Sequence, residues 1–203
     1  MGLLQGAVSL RRFLALGPVP GEEALFSGLA KHRFRPFDND EDEEKVGWAD
    51  WRNPLITPPD RDWVSQGRFA VFSMRLDTRK VPPMLLKAHT DLRMQKLMKE
   101  KDLAFVGREA KISLEEEVRA ELIKKVLPTP RTAEIAWDLK GGVLWTTAGN
   151  SKAQGHLAGL MKKSFDVELQ PLAPLLLAGR LAPHISVEML MALEPLDLSL
   201  EGA

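Results

Sequence analysis

The sequence predicts an α+β fold of two small strand-and-helix units with an antiparallel helical hairpin projecting between them. Three observations predict it: strand-like apolar alternation near both ends, two long helical patterns in the middle, and prolines or glycines at the boundaries. These boundaries give an amino-terminal unit over residues 1–80, the hairpin over 81–128, and a second unit with an apolar tail over 129–203. Strands and a helix occur in both outer units, which is consistent with a pseudo-repeat.

The composition is that of an ordinary globular protein, with 44% hydrophobic and 28% charged residues in a chain of 203. Basic and acidic residues balance at 28 each, so the chain is not basic overall, as many non-specific DNA-binding proteins are. Because the chain has no cysteine, it cannot form a disulfide framework, a thiolate zinc site or a cysteine nucleophile.

The amino-terminal apolar run does not predict a secretory signal, because Arg11 and Arg12 interrupt it. No window approaches the roughly 20 apolar residues that span a bilayer. We therefore expect a cytoplasmic protein with no membrane association.

The amino-terminal unit begins with a predicted strand over residues 7–16. Pro20 and Gly21 predict the start of a helix that extends to about Lys31. Six of the seven residues in 38–44 are acidic, and their mutual repulsion predicts an exposed loop.

A second loop and a strand complete this unit. Tryptophans and prolines between Trp48 and Trp63 predict an extended loop pinned by aromatic side chains. The alternation over residues 68–76 predicts a strand. One set of its side chains should face the core: Ala70, Phe72, Met74 and Leu76.

The hairpin begins with a helix from Val81 to about Lys101, led by Pro82 and Pro83. We expect its first half to be anchored in the core and its second half to project into solvent. The expected core face consists of apolar residues at helical spacing: Val81, Met84, Leu85, Ala88 and Leu92.

A second helix is predicted to begin at Ser113, because Glu116 three residues later completes a capping-box pattern. It should end before Pro128. Residues 105–112 would join the two helices.

The first hairpin helix concentrates positive charge. Between Arg79 and Lys101 the chain has seven lysines or arginines against only Asp91 and Glu100. A neutral protein with such a basic arm is suited to a phosphate-bearing partner, although many lysine-rich helix faces are simply solvated.

The last unit should contain a β-hairpin from residues 133–138 and 143–147 around Lys140-Gly141-Gly142. A helix should follow, capped by Asn150 or Ser151 and extending to about Ser164, then a strand over 167–169. The tail suggests a short helix at 175–179 and an apolar segment over 185–193.

No pattern predicts an active site. A nuclease needs carboxylates that converge on a metal ion, normally from rigid strands, whereas the richest acidic cluster lies in the predicted loop at 38–44. The four histidines are scattered without the spacing of a helical zinc site. We therefore expect no catalytic residues, no metal site and no cofactor.

The order of elements resembles the RdgC family of recombination-associated proteins, which also carries an exonuclease label. The resemblance rests on Val46-Gly47-Trp48, interpreted as a turn, then the strand, the proline-led basic helix, a second helix ending at Leu127-Pro128, the hairpin, and a helix near Asn150-Ser151-Lys152. It is strongest from about Val81 to Phe165. The chain resembles a short member that lacks the usual carboxyl-terminal part.

This resemblance implies a nucleoid-associated, sequence-independent double-stranded DNA-binding protein that clamps duplex as a homodimer and limits recombinase filament formation. Arg131 is one candidate phosphate contact. It lies in the segment Thr129-Pro130-Arg131, where the family tends to have Arg, Ala and Phe. The remaining candidates are Lys87, Arg93, Lys96, Lys99, Lys101, Arg108 and Lys111.

Two other functions remain open. The family label and the acidic residues allow a metal-dependent DNA exonuclease. The helical hairpin and the tryptophan-proline loop would also suit a protein-interaction module.

Overall fold

The structure is a computed structural model that describes residues 7–38, 41–102, 104–173, 177–178 and 185–192. It contains both helices and strands, which confirms the prediction of a mixed fold. The pseudo-repeat and the projection of the helical hairpin stay predictions.

A single antiparallel sheet organises the described part of the chain. Along the sheet the order is β2-β4-β5-β6-β1-β7, with the two-residue β3 paired to β4. The strands are β1 Arg11–Leu16, β2 Glu44–Ala49, β3 Ser65–Gln66, β4 Phe69–Thr78, β5 Thr129–Asp138, β6 Val143–Thr146 and β7 Glu168–Pro171. The helices are α1 Glu22–Lys31, α2 Arg61–Val64, α3 Pro83–Glu100, α4 Arg108–Ile123, α5 Ser151–Phe165 and α6 Val187–Met191.

The main core lies between the sheet and helices α1 and α5. The predicted inward face of β4 is confirmed, because Ala70, Phe72, Met74 and Leu76 are all buried. Strand β4 pairs with β5 over ten residues, so the sheet joins segments that lie about sixty residues apart in sequence.

The prediction of a turn at Val46-Gly47-Trp48 is wrong, because these residues belong to strand β2. Trp48 is fully buried, and its ring lies edge-on to Phe72 with centroids 5.0 Å apart. Its indole Nε1 donates a hydrogen bond of 2.8 Å to Ser164 Oγ, which satisfies the polar atom inside the core. The extended loop therefore begins after Ala49.

The predicted apolar face of α3 is also wrong, except at Val81, which is buried just before the helix. Met84 is 80% exposed and Leu92 is 63% exposed, whereas Leu86 and Thr90 are buried. Thr90 can be buried because its hydroxyl donates to the Leu86 carbonyl oxygen at 2.8 Å. Apolar side chains occur around most of α3, so their spacing alone did not identify the face that packs.

Helix α4 begins at Arg108, five residues before the predicted cap at Ser113. The helix starts this early because good helix-forming residues precede Ser113, in the sequence Arg108-Glu109-Ala110-Lys111. Glu109 also interacts favourably with the positive end of the helix dipole. A small separate core, which we call the helix-pair core, links the start of α3 to the end of α4. It consists of Val81, Leu86, Val118 and Ile123.

The carboxyl-terminal hairpin and helix α5 form as predicted. In the turn, Asp138 Oδ1 accepts hydrogen bonds from the backbone amides of Lys140 and Gly141, and Gly142 adopts a φ of 65°. Asn150 Oδ1 caps α5 by accepting from the Ala153 amide at 2.8 Å. The helix predicted at 175–179 lies mostly outside the described residues.

Candidate nucleic-acid interface

A cavity of about 850 Å³ opens beside the end of the sheet where β4 leads into α3. Its lining comes from α3 and α4, from β4 and β5, from the start of α5, and from Glu43 and Glu44, where β2 begins. We call this cavity the basic cleft, because seven basic residues line it against four acidic ones. Concave surfaces with an excess of one sign of charge attract ligands of the opposite charge.

The basic cleft brings together three of the predicted phosphate contacts. Lys87 comes from the second turn of α3, Lys111 from the first turn of α4, and Arg131 from β5. All three residues are exposed, so their charged groups remain accessible to a ligand. Folding gathers them from a stretch of more than forty residues of sequence.

The amino terminus of α5 contributes a further electropositive wall. Asn150, Lys152 and Ala153 line the basic cleft here. The helix dipole and the first-turn amides of a helix favour negative charge at this end. This wall adds to the attraction that the basic side chains exert on an anion.

The other predicted contacts lie outside the lining of the basic cleft. The guanidinium group of Arg93 is engaged within the protein, since its Nη2 lies 2.8 Å from Glu121 Oε1 on α4. The remaining four are exposed along α3 and at the connection to α4: Lys96, Lys99, Lys101 and Arg108.

The described part of the acidic loop does not stand free in solvent. We call residues Glu41–Glu44 the acidic segment; residues 39–40 lie outside the described structure. Glu41 Oε1 is 3.1 Å from Lys124 Nζ, and Glu43 Oε1 is 3.8 Å from Arg119 Nη1. The segment therefore neutralises basic groups on α4 and directly after it.

Glu44 makes the third set of contacts, to helix α5. Its carboxylate pairs with the ammonium group of Lys152 and lies 3.5 Å from Nε2 of His156. The hydrogen bond from Lys152 is the main influence that lowers the pKa of Glu44, although partial burial opposes it and His156 adds a smaller lowering. Glu44 thus remains ionised while it pairs with Lys152.

The backbone of the acidic segment is fixed by Arg79, which is itself buried. The guanidinium group donates to the Asp42 carbonyl oxygen at 2.7 Å from Nη2 and 3.1 Å from Nε. The Arg79 amide donates to the Glu43 carbonyl oxygen at 2.8 Å. The chain is therefore held by its backbone, independently of its carboxylates.

Sequence reasoning missed Arg119, Lys124 and Lys152 as members of this surface. Arg119 and Lys124 do not stand out as locally basic, because acidic residues such as Glu117 and Glu121 lie close to them in sequence. Lys152 lies far from the basic helix in sequence. The available signal was the acidic run itself, because a dense cluster of carboxylates attracts the cations that the fold brings near it.

The described residues offer neither a candidate metal site nor a candidate membrane span. No group of three or more histidine, aspartate or glutamate side chains gathers there in a way that could hold a metal ion. Within those same residues, no helix combines the length and apolar character that crossing a bilayer requires.

A family model described as "Putative exonuclease, RdgC" matches residues 15–184 of the chain. A search of curated proteins found no match.

Proposed function

Because the chain belongs to the RdgC family, whose role is in DNA binding associated with recombination, we propose that it binds double-stranded DNA without sequence preference. The observation that carries this proposal is the basic cleft, where Lys87, Lys111 and Arg131 converge from three elements. Lysines and arginines that contact phosphates hold a duplex without identifying its bases.

The family membership also motivates a proposed role and location. On this proposal the chain associates with the nucleoid and clamps duplex, and the bound protein limits the formation of recombinase filaments. The outward positions of Lys96, Lys99, Lys101 and Arg108 would extend the phosphate-binding surface beyond the cleft.

Dimerisation is the remaining part of this proposal. Helix α3 exposes an apolar stripe at helical spacing, formed by Met84, Leu85, Ala88 and Leu92. A second copy of the chain would shield this stripe from water, and such burial favours association. The mass measured by light scattering, with and without duplex, should correspond to two copies.

The main test is reversal of charge in the cleft. We expect the triple variant K87E/K111E/R131E to bind duplexes of different sequence more weakly and to a similar extent. The slope of log affinity against log salt should become shallower by up to about three, because each lost phosphate contact removes roughly 0.9 from it. Fluorescence anisotropy with labelled duplex over a salt series measures both quantities.

A matched control separates the cleft from the total charge. The variant K31E/K140E/K163E makes the same change in net charge at exposed positions outside the cleft. It should lose much less affinity and keep its salt slope. Equal losses in the two variants, or absence of duplex binding by the wild-type protein at low salt, would contradict the proposal.

The exonuclease alternative has its own assay. End-labelled duplex incubated with the protein and Mg²⁺ or Mn²⁺ would be shortened in an EDTA-sensitive reaction if this alternative were correct.

A further inference from the structure

The acidic segment occupies cations that border the proposed phosphate-binding surface. Arg119 and Lys152 line the basic cleft together with Lys87, Lys111 and Arg131. Lys124 follows Arg119 by five residues, immediately after the last turn of α4. Carboxylates of the acidic segment contact all three of these cations, which lie on α4, directly after α4, and on α5.

These ion pairs are suited to exchange. The three basic side chains are between 35% and 62% exposed, so water screens each pair. Exposed ion pairs typically contribute little to stability and break readily. By contrast, the backbone hydrogen bonds from Arg79 would keep the segment beside the cleft while its side chains swing away.

We propose that Arg119, Lys124 and Lys152 form a second set of phosphate contacts, which the acidic segment occupies until duplex phosphates replace its carboxylates. This inference rests on the proposed duplex binding. In the free protein the carboxylates take the places of phosphates. In the complex they face solvent and the three cations face DNA.

The exchange has a consequence for salt dependence. Phosphate contacts release counterions from DNA, which makes affinity fall as salt rises. Carboxylates that lose their protein partners attract counterions, and this uptake offsets part of the release. Neutralising the acidic segment should therefore steepen the salt dependence as well as raise affinity.

A double-mutant cycle tests the inference. Its four proteins are the wild type, the acid variant E41Q/E43Q/E44Q, the cation variant R119Q/K124Q/K152Q, and the combination of both. We expect the acid variant to bind duplex between about threefold and about a hundredfold more tightly than wild type, because three exposed ion pairs no longer oppose binding. The same acid substitutions should have little effect in the cation variant, which lacks the contacts that they release.

The outcomes separate this inference from the proposed function. If the acid substitutions raise affinity equally in both backgrounds, the segment acts only through long-range repulsion and the inference is overturned, while duplex binding stands. If none of the four proteins binds duplex at low salt, the proposed function fails and the inference fails with it. The variant E22Q/E168Q/E188Q, neutralised at exposed positions away from the cleft, measures the effect of net charge alone.

A measurement on the wild-type protein does not depend on the folding of variants. The carboxyl carbon of Glu44, followed by NMR during a pH titration, reports its pairing with Lys152 and His156. Saturating duplex should raise the pKa of this carboxyl towards its ordinary value, because Lys152, the main cause of the lowering, turns to a phosphate. An unchanged titration in the complex would overturn the displacement of Glu44.

Discussion

The sheet with α1 and α5 is held together very differently from the pair of helices α3 and α4. The first region has an extended aromatic core, in which the rings of Trp48 and Trp137 both contact the ring of Phe165. Among the described residues, the second has the small helix-pair core of four buried residues, with Leu122 and Val126 packed against it, and the exposed Arg93–Glu121 ion pair. Helix α3 also leaves large apolar side chains in water.

This difference indicates that some parts of the basic cleft are fixed more firmly than others. A large core fixes strands β4 and β5 and helix α5, which supply part of the lining of the basic cleft. Another part of the lining comes from α3 and α4, which are less strongly anchored. Regions with few buried contacts open at a lower free energy than the rest of a protein, so we expect the width of the cleft to vary through movement of α3 and α4.

The largest expected effect is in the main core. Phe72→Ala should lower the free energy of unfolding by about 3–5 kcal/mol, because it removes a fully buried ring and leaves a cavity. Chemical denaturation followed by tryptophan fluorescence measures the change. Phe105→Ala is the matched control: Phe105 is 77% exposed, and its loss should change stability by less than about 0.5 kcal/mol. Similar losses in the two variants would contradict the assignment of the core.

A smaller and more local effect is expected in the helix-pair core. Ile123→Ala should cost about 2 kcal/mol, at the low end for such a change, because few buried neighbours surround the side chain. Hydrogen exchange should accelerate in α3 and α4 and remain slow in β4 and β5. Ile112→Ala, at a half-exposed position on α4, should leave exchange nearly unchanged. Equal acceleration in the sheet would show that both regions open as one unit.

The smallest effect is expected at the hairpin turn and depends on pH. Hydrogen bonds from the Gly141 amide, and then from Lys140 and Arg68, lower the pKa of Asp138 below its ordinary value of 3.8, against an opposing effect of burial. Since the folded-state pKa is the lower one, ionised Asp138 stabilises the fold fully above that ordinary value. The stabilisation is lost as pH falls through the folded-state pKa.

Asp138→Asn should therefore reduce stability at neutral pH, and the difference from wild type should shrink in acid. Denaturation series between neutral and strongly acidic pH measure this difference. A gap that widens on acidification would contradict the role of the ionised carboxylate. Lys140→Gln, which keeps the backbone amide at the turn, serves as the control.

Local sequence signals predicted those parts of the fold that depend on neighbouring residues. The alternation around Phe72, the cap at Asn150 and the glycine turn at Gly142 needed only short-range geometry, and all three are present. The packed face of α3 was not predicted, because the position of α4 determines that Leu86 is buried and Met84 is not. Similarly, the capping pattern at Ser113 was overridden by stronger helix formation upstream.

For the candidate site, the sequence by itself determined that positive charge concentrates around α3 and that a dense acidic run precedes β2. Charge composition is a local property that can be read without knowing the fold. Only the tertiary structure decided that Lys87, Lys111 and Arg131 share one cleft, and that the acidic segment pairs with Arg119, Lys124 and Lys152. Electrostatic pairing depends on distance in space, and the sheet brings these distant parts of the chain together.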